Sequence, residues 1–309
     1  MVKIYDGFLF DNELELLELR LQEHWDYVHK FIIVESTRNH RNQPKELGYA
    51  DNRERFAPWA DKIQHIIIDH HRDNGPWVFK NTTTGSVNDQ QRNVIPWGLY
   101  DADPADVLLI CDVDELWRRD ALQYIHSHPD YLVYSPKQIM SHFNMNFVCK
   151  TYQNTNKCHG YMSWSKGIRV GYLKDEYNFD ATAVKGTGMF STLTEHTSNS
   201  DWHAVIPHGG WHFSWWGANK SDHLRKLDYY GHSDQDTALA RTILDSGSVV
   251  GQKLSNPMHV PQIGNMFPEH EWAVCEVDDY YPDTITSNIT KYRRHILPNH
   301  SCKITDMFP

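Results

Sequence analysis

Short apolar runs recur through the first third of the chain and are separated by stretches of mixed character. Continuous apolar runs occupy residues 31–34, 66–68 and 107–110, and residues 2–5, which include one lysine, are predicted as a further short strand. Runs that are apolar at nearly every position are typical of strands buried on both faces of a parallel sheet. The pattern therefore predicts four strands in this part of the chain.

The stretches between these runs carry the periodicity of one-sided helices. Leu14, Leu17 and Leu21 follow the i, i+3, i+7 spacing, and Asp11 stands where it could cap their helix. A second helix is predicted over residues 86–93. Strands that alternate with helices in this way favour an open α/β sheet that binds its ligands at the carboxyl ends of the strands.

The second part of the chain differs in composition, because it is rich in Tyr, Trp, His, Asn and Gly. It contains no internal repeat and no stretch with the composition of a linker. A single domain is therefore expected. Its predicted extent is residues 1–245, with a nucleotide-binding half (1–119) and an acceptor half (120–245). Residues 246–309 are expected to form a C-terminal extension packed on the same domain.

Charge and composition exclude several classes of protein. The chain has 309 residues, with 30 Lys and Arg against 40 Asp and Glu, a net charge of −10. A nucleic-acid-binding protein needs a basic face to neutralise phosphates, so this class is excluded. No apolar run approaches the roughly 20 residues of a membrane span, and the first residues lack the apolar core of a signal peptide. We therefore expect a cytoplasmic protein without a membrane span, whose five widely spaced cysteines form neither a zinc ribbon nor a disulfide framework.

An Asp-x-Asp motif follows the last of the four apolar runs. On an extended chain, residues two apart point the same way, so Asp112 and Asp114 would converge on one point. Hard carboxylate oxygens suit Mg²⁺ or Mn²⁺, and such a cation would bring an anionic nucleotide diphosphate to an acidic protein. The alternative is a solvated acidic turn after a strand.

A glycine-rich aromatic segment is the second candidate. His208 and His212 are four residues apart, but Gly209 and Gly210 between them argue against a helical zinc pair. A Gly-Gly loop would instead bring backbone close to a ligand, with the Trp211 ring for stacking and the His212 imidazole for a metal or phosphate. The alternative is an aromatic core cluster with a hydrogen-bonded histidine.

Three weaker candidates for nucleotide binding are Glu35, Arg92 and Lys226. Glu35 ends the second predicted strand, where a base or ribose contact would lie, and the Arg92 guanidinium could reach a diphosphate. Each could equally be a surface or structural residue. Motifs typical of P-loop enzymes, Rossmann dehydrogenases, α/β-hydrolases and zincins are absent from the sequence.

Four segments together resemble glycosyltransferase family 17, the family of the β-1,4-mannosyl-glycoprotein 4-β-N-acetylglucosaminyltransferases. They are residues 5–17, 31–36, 112–116 and 210–215. The resemblance implies a GT-A-like α/β fold, an open mixed sheet with flanking helices, and a UDP-sugar donor. It also implies a divalent cation, Mn²⁺ or Mg²⁺, inversion at the anomeric carbon, and a glycan acceptor. N-acetylglucosamine is the expected sugar, and the acceptor stays open.

The resemblance also gives roles to individual residues. Asp114 would hold the metal. Asp112 would belong to the same metal site and would also contact the ribose or a metal-bound water. His212 would be the third metal ligand, and Trp211 would stack on a sugar. These roles describe an inverting transfer that forms a β linkage.

The base that removes the acceptor proton is assigned to Glu195, which lies in a polar stretch before the glycine-rich segment. Glu176, Asp201 and Asp222 are the alternatives. Two other functions remain open from the residues alone. One is a non-catalytic sugar-binding protein on the same fold, and the other is a metal-dependent hydrolase that uses the same carboxylates.

Overall fold

A computed structural model describes most of the chain in two compact units. The first unit comprises Met1–Gln138 with Ser163–Gly210, and the second comprises Ile139–Met162 with Trp211–Pro309. The described residues are 2–39, 43–68, 87–150, 161–162, 164–190, 200–217, 221–222, 272–298 and 300–307.

Four parallel strands form the centre of the first unit. They are β1 (Ile4–Leu9), β2 (Lys30–Ser36), β3 (Ile63–Ile68) and β4 (Val107–Asp112). Hydrogen bonding gives the order β4-β1-β2-β3. β1, β2 and β4 are buried along nearly their whole length, whereas β3 at the edge is partly exposed. The four predicted strands are confirmed.

Antiparallel strands extend this sheet beyond β4. β9 (Lys166–Arg169) pairs with β4, and the first residues of β6 (Val133–His142) pair with β9. β5 (Glu115–Trp117) pairs with β10 (His203–Ser214), whose first part belongs to this unit. The expected open mixed α/β sheet is confirmed. Residue 119, where the two predicted halves meet, lies inside the first unit, and the division into a nucleotide-binding half and an acceptor half stays a prediction.

In the described part of the first unit, five α-helices and two 3₁₀ helices accompany the strands. Among the described residues, no helix is both long enough and apolar enough to cross a membrane. The α-helices are α1 (Leu14–His24), α2 (Val87–Val94), α3 (Arg119–Ser127), α4 (Val170–Tyr177) and α5 (Ala181–Phe190), and the 3₁₀ helices are Ala50–Lys62 and Ile95–Leu99.

Helix α1 is buried on more than its predicted leucine stripe, since Arg20 and His24 are also fully buried. The helix begins at Leu14, and the residue before it makes no side-chain capping bond. The predicted cap at Asp11 is therefore wrong. The Asp11 carboxylate pairs instead with Lys45, whose Nζ lies 2.7 Å from Oδ1.

The second unit has short elements and a core rich in rings. β7 (Phe147–Cys149) and β11 (Trp272–Val274) pair antiparallel, and β8 (Tyr161–Met162) is a third short strand. Asn146 joins two later segments, because its amide nitrogen donates to the carbonyls of Cys275 and Leu297, each at 3.0 Å. Its amide oxygen accepts from the Leu297 N–H at 2.8 Å, so this buried side chain is well satisfied.

Candidate active site

The Asp-x-Asp motif lies at the carboxyl end of β4, inside the sheet of the first unit. Asp112 ends the strand, Val113 and Asp114 form a turn, and Glu115 begins β5. The expected extended conformation is therefore replaced by a turn, which the Asp112 amide closes by donating to Glu115 Oε2 at 2.8 Å. The Asp112 side chain is 38% exposed, whereas Asp114 and Glu115 are buried.

Two cations flank the Asp112 carboxylate. Lys185 Nζ, from α5, lies 2.9 Å from Asp112 Oδ1 and 2.5 Å from Glu115 Oε2. Arg92 Nη2, from α2, lies 3.1 Å from the same Oδ1. Burial by itself would raise the pKa of Asp112, but Lys185 and Arg92 lower it well below the usual range of a carboxyl group. Asp112 is therefore an anion that is partly open to solvent and held between two positive charges.

Sequence reasoning identified Arg92 but missed Lys185. The available signal was a single lysine in an otherwise small and apolar stretch, residues 181–185. Lysine is rarely buried without a charged partner. That stretch therefore indicated an acidic partner for Lys185, although not which one.

A second lysine lies under the motif. Lys166 is fully buried in β9, directly opposite Ile110 of β4. Burial lowers the pKa of Lys166 to about 7, even though the nearby Glu115 raises it, and Lys185 lowers it further. Glu115 is thus a fully buried carboxylate that pairs with Lys185 and influences the charge of Lys166.

The turn rests on a buried arginine. Arg20 Nη1 donates to three main-chain carbonyls, those of Asp112 at 3.1 Å, Val113 at 3.3 Å and Glu115 at 2.8 Å. Buried carbonyls need hydrogen-bond partners, and Arg20 supplies one to each of these three. Arg20 therefore satisfies the turn from its buried side.

Arg20 is in turn held by a buried carboxylate. Asp6 of β1 accepts from Arg20 Nε at 2.8 Å and from Nη2 at 2.5 Å, in a two-pronged ion pair. Asp6 Oδ2 also lies 2.8 Å from His24 Nδ1, and His24 Nε2 lies 2.9 Å from the Trp117 carbonyl. Burial raises the pKa of Asp6, but Arg20 and then His24 outweigh it and lower the value to about 2.

The carboxylate of Glu35 is bound by other groups of the protein. Its fully buried carboxylate accepts from the amides of Tyr49 at 2.9 Å and Ala50 at 3.2 Å, and lies 2.7 Å from His65 Nε2. These contacts tie β2 to β3 and to the start of the 3₁₀ helix Ala50–Lys62. The predicted base or ribose contact stays a prediction that this packing argues against.

The glycine pair lies in a strand. Gly209 and Gly210 belong to β10, so the predicted Gly-Gly loop is wrong. A Cβ on Gly210 would lie 2.3 Å from the Leu116 carbonyl oxygen, and one on Gly209 would lie 2.7 Å from Pro136 Cβ. The glycines let backbone approach backbone, because β10 pairs closely with β5 and β6.

Trp211 lies in an aromatic stack of the second unit. Its fully buried ring is 4.4 Å from Tyr281 and 5.5 Å from Phe213, measured between centroids. A sugar could stack on Trp211 only if this packing opened, so sugar stacking stays a prediction that the structure does not favour. His212 is buried in the same strand, and its role as a metal ligand stays a prediction.

The remaining candidates divide into two groups. Glu195 and Lys226 lie outside the described residues. Of the alternative bases, Glu176 on α4 and Asp201 are exposed, and Asp222 is partly buried. Within the described part of the chain, no three His, Cys, Asp or Glu side chains are grouped as a metal-binding set.

A family model named Glycosyltransferase family 17 matches residues 1–169 of the chain. The chain belongs to glycosyltransferase family 17. It is therefore a glycosyltransferase, an enzyme that acts on a sugar donor and an acceptor. The matched region includes Asp112, Asp114 and Arg92, whereas Lys185, Trp211 and His212 lie beyond it.

Other comparisons add little to this family 17 assignment. No curated protein matches the chain. Among solved structures, HddC from Yersinia pseudotuberculosis is similar with a TM-score of 0.37 and 13% identity, covering 67% of this chain and 90% of that one. The inositol-1-phosphate CTP transferase from T. maritima gives 0.35 and 11%, covering 67% and 85%. Similarity at this level does not support any inference about the reaction of this chain.

Proposed function

We propose that the enzyme transfers a sugar, expected to be N-acetylglucosamine, from a UDP-sugar to a glycan hydroxyl, with inversion to a β linkage. The observation that carries this proposal is the cation pair Arg92 and Lys185 around the partly exposed Asp112. The pair lies at the carboxyl end of a central parallel strand, where open α/β sheets bind their ligands.

The role proposed for these cations is to bind the donor diphosphate. A nucleoside diphosphate is anionic, and Arg92 offers a planar set of donors that matches phosphate oxygens. The Arg92 and Lys185 side chains are only 10% and 7% exposed, so their charges act in surroundings with little water. Both groups are already ordered by Asp112, which lowers the entropy cost of receiving the donor.

Asp112 and Asp114 are the proposed protein ligands of Mn²⁺ or Mg²⁺, with His212 as a third candidate. The chemistry of the carboxylates fits such an ion, because Mg²⁺ is commonly held by one or two carboxylates together with substrate phosphates and water. In the described chain both cations contact Oδ1 of Asp112, so Oδ2 carries no ion pair. A bound ion would supply charge neutralisation at the leaving diphosphate.

Inversion by a single displacement needs a base on the acceptor side. Glu195 is the proposed base, with Glu176, Asp201 and Asp222 as alternatives. The base would accept the proton of the acceptor hydroxyl while that oxygen attacks the anomeric carbon and the bond to the diphosphate breaks. UDP leaves with the electron pair of that bond.

A donor panel tests this function. The enzyme is incubated with UDP-N-acetylglucosamine, UDP-N-acetylgalactosamine, UDP-glucose or UDP-galactose, with Mn²⁺ or with a chelator, and released UDP is measured. We expect fastest release from UDP-N-acetylglucosamine, and we expect the chelator to suppress it. Asp114→Ala should remove most of the difference between Mn²⁺ and chelator, since it deletes a proposed ligand.

Separate results would contradict separate parts of the proposal. Release of UDP at the same rate with Mn²⁺ and with chelator would exclude the metal role. Preference for another donor would change the assigned sugar. With a glycan acceptor, the anomeric coupling of the product measured by NMR reports the linkage, and an α product would exclude inversion.

A further inference from the structure

Arg20 is an unusual side chain to find without exposure to water. Its exposed fraction is 0%, and that of its partner Asp6 is also 0%. Burying an ion pair costs desolvation that well-packed apolar residues would avoid, so such a pair is weak support for stability. The buried Arg20–Asp6 pair therefore indicates a role other than stability.

The contacts of Arg20 converge on one segment of the chain. Nη1 bonds the carbonyls of Asp112, Val113 and Glu115, while Nε and Nη2 bond Asp6. The guanidinium is planar and its donors have fixed directions, so its orientation is set once Asp6 holds two of them. The three carbonyl oxygens can then accept hydrogen bonds from Nη1 only in positions that match its fixed direction.

His24 extends this frame to the end of β5. It lies four residues after Arg20, on the same face of α1, and bridges Asp6 Oδ2 at 2.8 Å to the Trp117 carbonyl at 2.9 Å. One carboxylate thus orients two side chains that together contact main-chain carbonyls on both sides of Leu116. This chain of contacts runs from β1 through α1 to the Asp-x-Asp turn.

We infer that Arg20 is a positioning residue that holds the Asp-x-Asp turn in the conformation required for donor binding, with Asp6 and His24 orienting it. This inference rests on the proposed function, because the carboxylates it positions are the proposed ligands of the metal and donor. Arg20 itself is not proposed to touch the metal or the donor. Its effect passes through the peptide groups of residues 112–115.

Arg20→Lys is the decisive variant, because lysine keeps the charge but cannot reproduce the fixed fork of the guanidinium. Leu21→Ala is the matched control, since Leu21 is a fully buried neighbour on the same helix that carries no polar group. Both variants are compared at temperatures well below their melting temperatures.

Two readouts separate positioning from general stability. Hydrogen exchange of the 112–117 amides, measured by mass spectrometry without donor, should be at least about tenfold faster in Arg20→Lys than in Leu21→Ala. The dissociation constant for UDP with Mn²⁺ should rise at least about tenfold in Arg20→Lys and stay within about twofold in Leu21→Ala, in line with the loss of a charged hydrogen bond.

Equal exchange of the turn amides in the two variants would overturn the inference, as would unchanged UDP affinity in Arg20→Lys. If Arg20→Lys does not fold, His24→Gln replaces it, and turn exchange no faster than in Leu21→Ala overturns the inference. The hydrogen-exchange measurement does not require the sugar donor to bind. Failure of the unaltered enzyme to bind UDP would therefore contradict the proposed function and leave the exchange result to decide the role of Arg20.

Discussion

The two units are stabilised by different chemistry. The first packs apolar strands at its centre and buries charged groups at one end of β4, among them Arg20, Asp6 and Lys166. The second packs rings against rings, such as Trp211 on Tyr281 and Trp216 on His295, with centroids 4.4 Å and 4.3 Å apart.

This difference shows which feature of the sequence carried functional information. Aromatic residues fill a core well and their packing needs no ligand to explain it. Buried charges cost desolvation, so a group of them next to a partly exposed carboxylate calls for an explanation in binding or positioning. The acidic motif of the first unit is therefore a stronger candidate than the aromatic segment of the second.

The largest effect is expected from Trp211→Ala. Removing a fully buried indole should lower the free energy of unfolding by about 3–5 kcal/mol, because it leaves a cavity in the aromatic stack. Urea denaturation followed by circular dichroism measures this loss, and Trp211→Phe should lose less. Unchanged stability together with weaker acceptor binding would instead support the sugar-stacking role.

An intermediate effect is expected from Arg92→Met in the first unit. If Arg92 binds the donor diphosphate, the dissociation constant for UDP should rise by about 10- to 100-fold, the range for a hydrogen bond to a charged group. Titration calorimetry measures the constant.

Arg55→Met is the matched control for Arg92→Met, since Arg55 also pairs with a carboxylate, Glu18 at 2.7 Å, but at an exposed site. Such surface pairs contribute little, so this variant should bind UDP like the unaltered enzyme. Equal weakening in the two variants would mean that Arg92 has no specific role.

The smallest effect concerns pH and Lys166. Its pKa is about 7 in the folded chain against 10.5 for an ordinary lysine, so above pH 7 the unfolded chain holds a proton that the folded chain lacks. The free energy of unfolding should therefore rise with pH, by about 1 kcal/mol over one pH unit just above neutrality. Lys166→Met should remove this rise.

Urea denaturation at about pH 7.5 and pH 8.5 measures the slope. Lys174→Met, at an exposed lysine of α4, should keep the slope of the unaltered chain. A slope that survives in Lys166→Met would show that another group titrates in this range.

The sequence was most informative where periodicity reports burial. The apolar runs predicted β1 to β4, and because carboxyl ends of parallel strands share one edge, Asp112 was expected at a ligand-binding edge. Arg92 was expected near this edge because it lies on the helix before β4, and the structure brings its Nη2 to 3.1 Å from Asp112 Oδ1.

Long-range pairing could not be predicted in the same way. Lys185 is 73 positions after Asp112, and the contact depends on how β9 and α5 return to β4. The glycine pair was misinterpreted for a similar reason. Gly210 allows close approach, but the sequence alone does not say whether a ligand or, as found, the Leu116 carbonyl comes close.

The contacts of Arg20 have a consequence for protein engineering. Arg20 recognises the turn through carbonyl oxygens, which every residue type presents alike. Side chains at Val113 and Asp114 can therefore be exchanged without removing a group that Arg20 binds. A library at these two positions could alter the choice of metal or nucleotide while the backbone that presents them is retained.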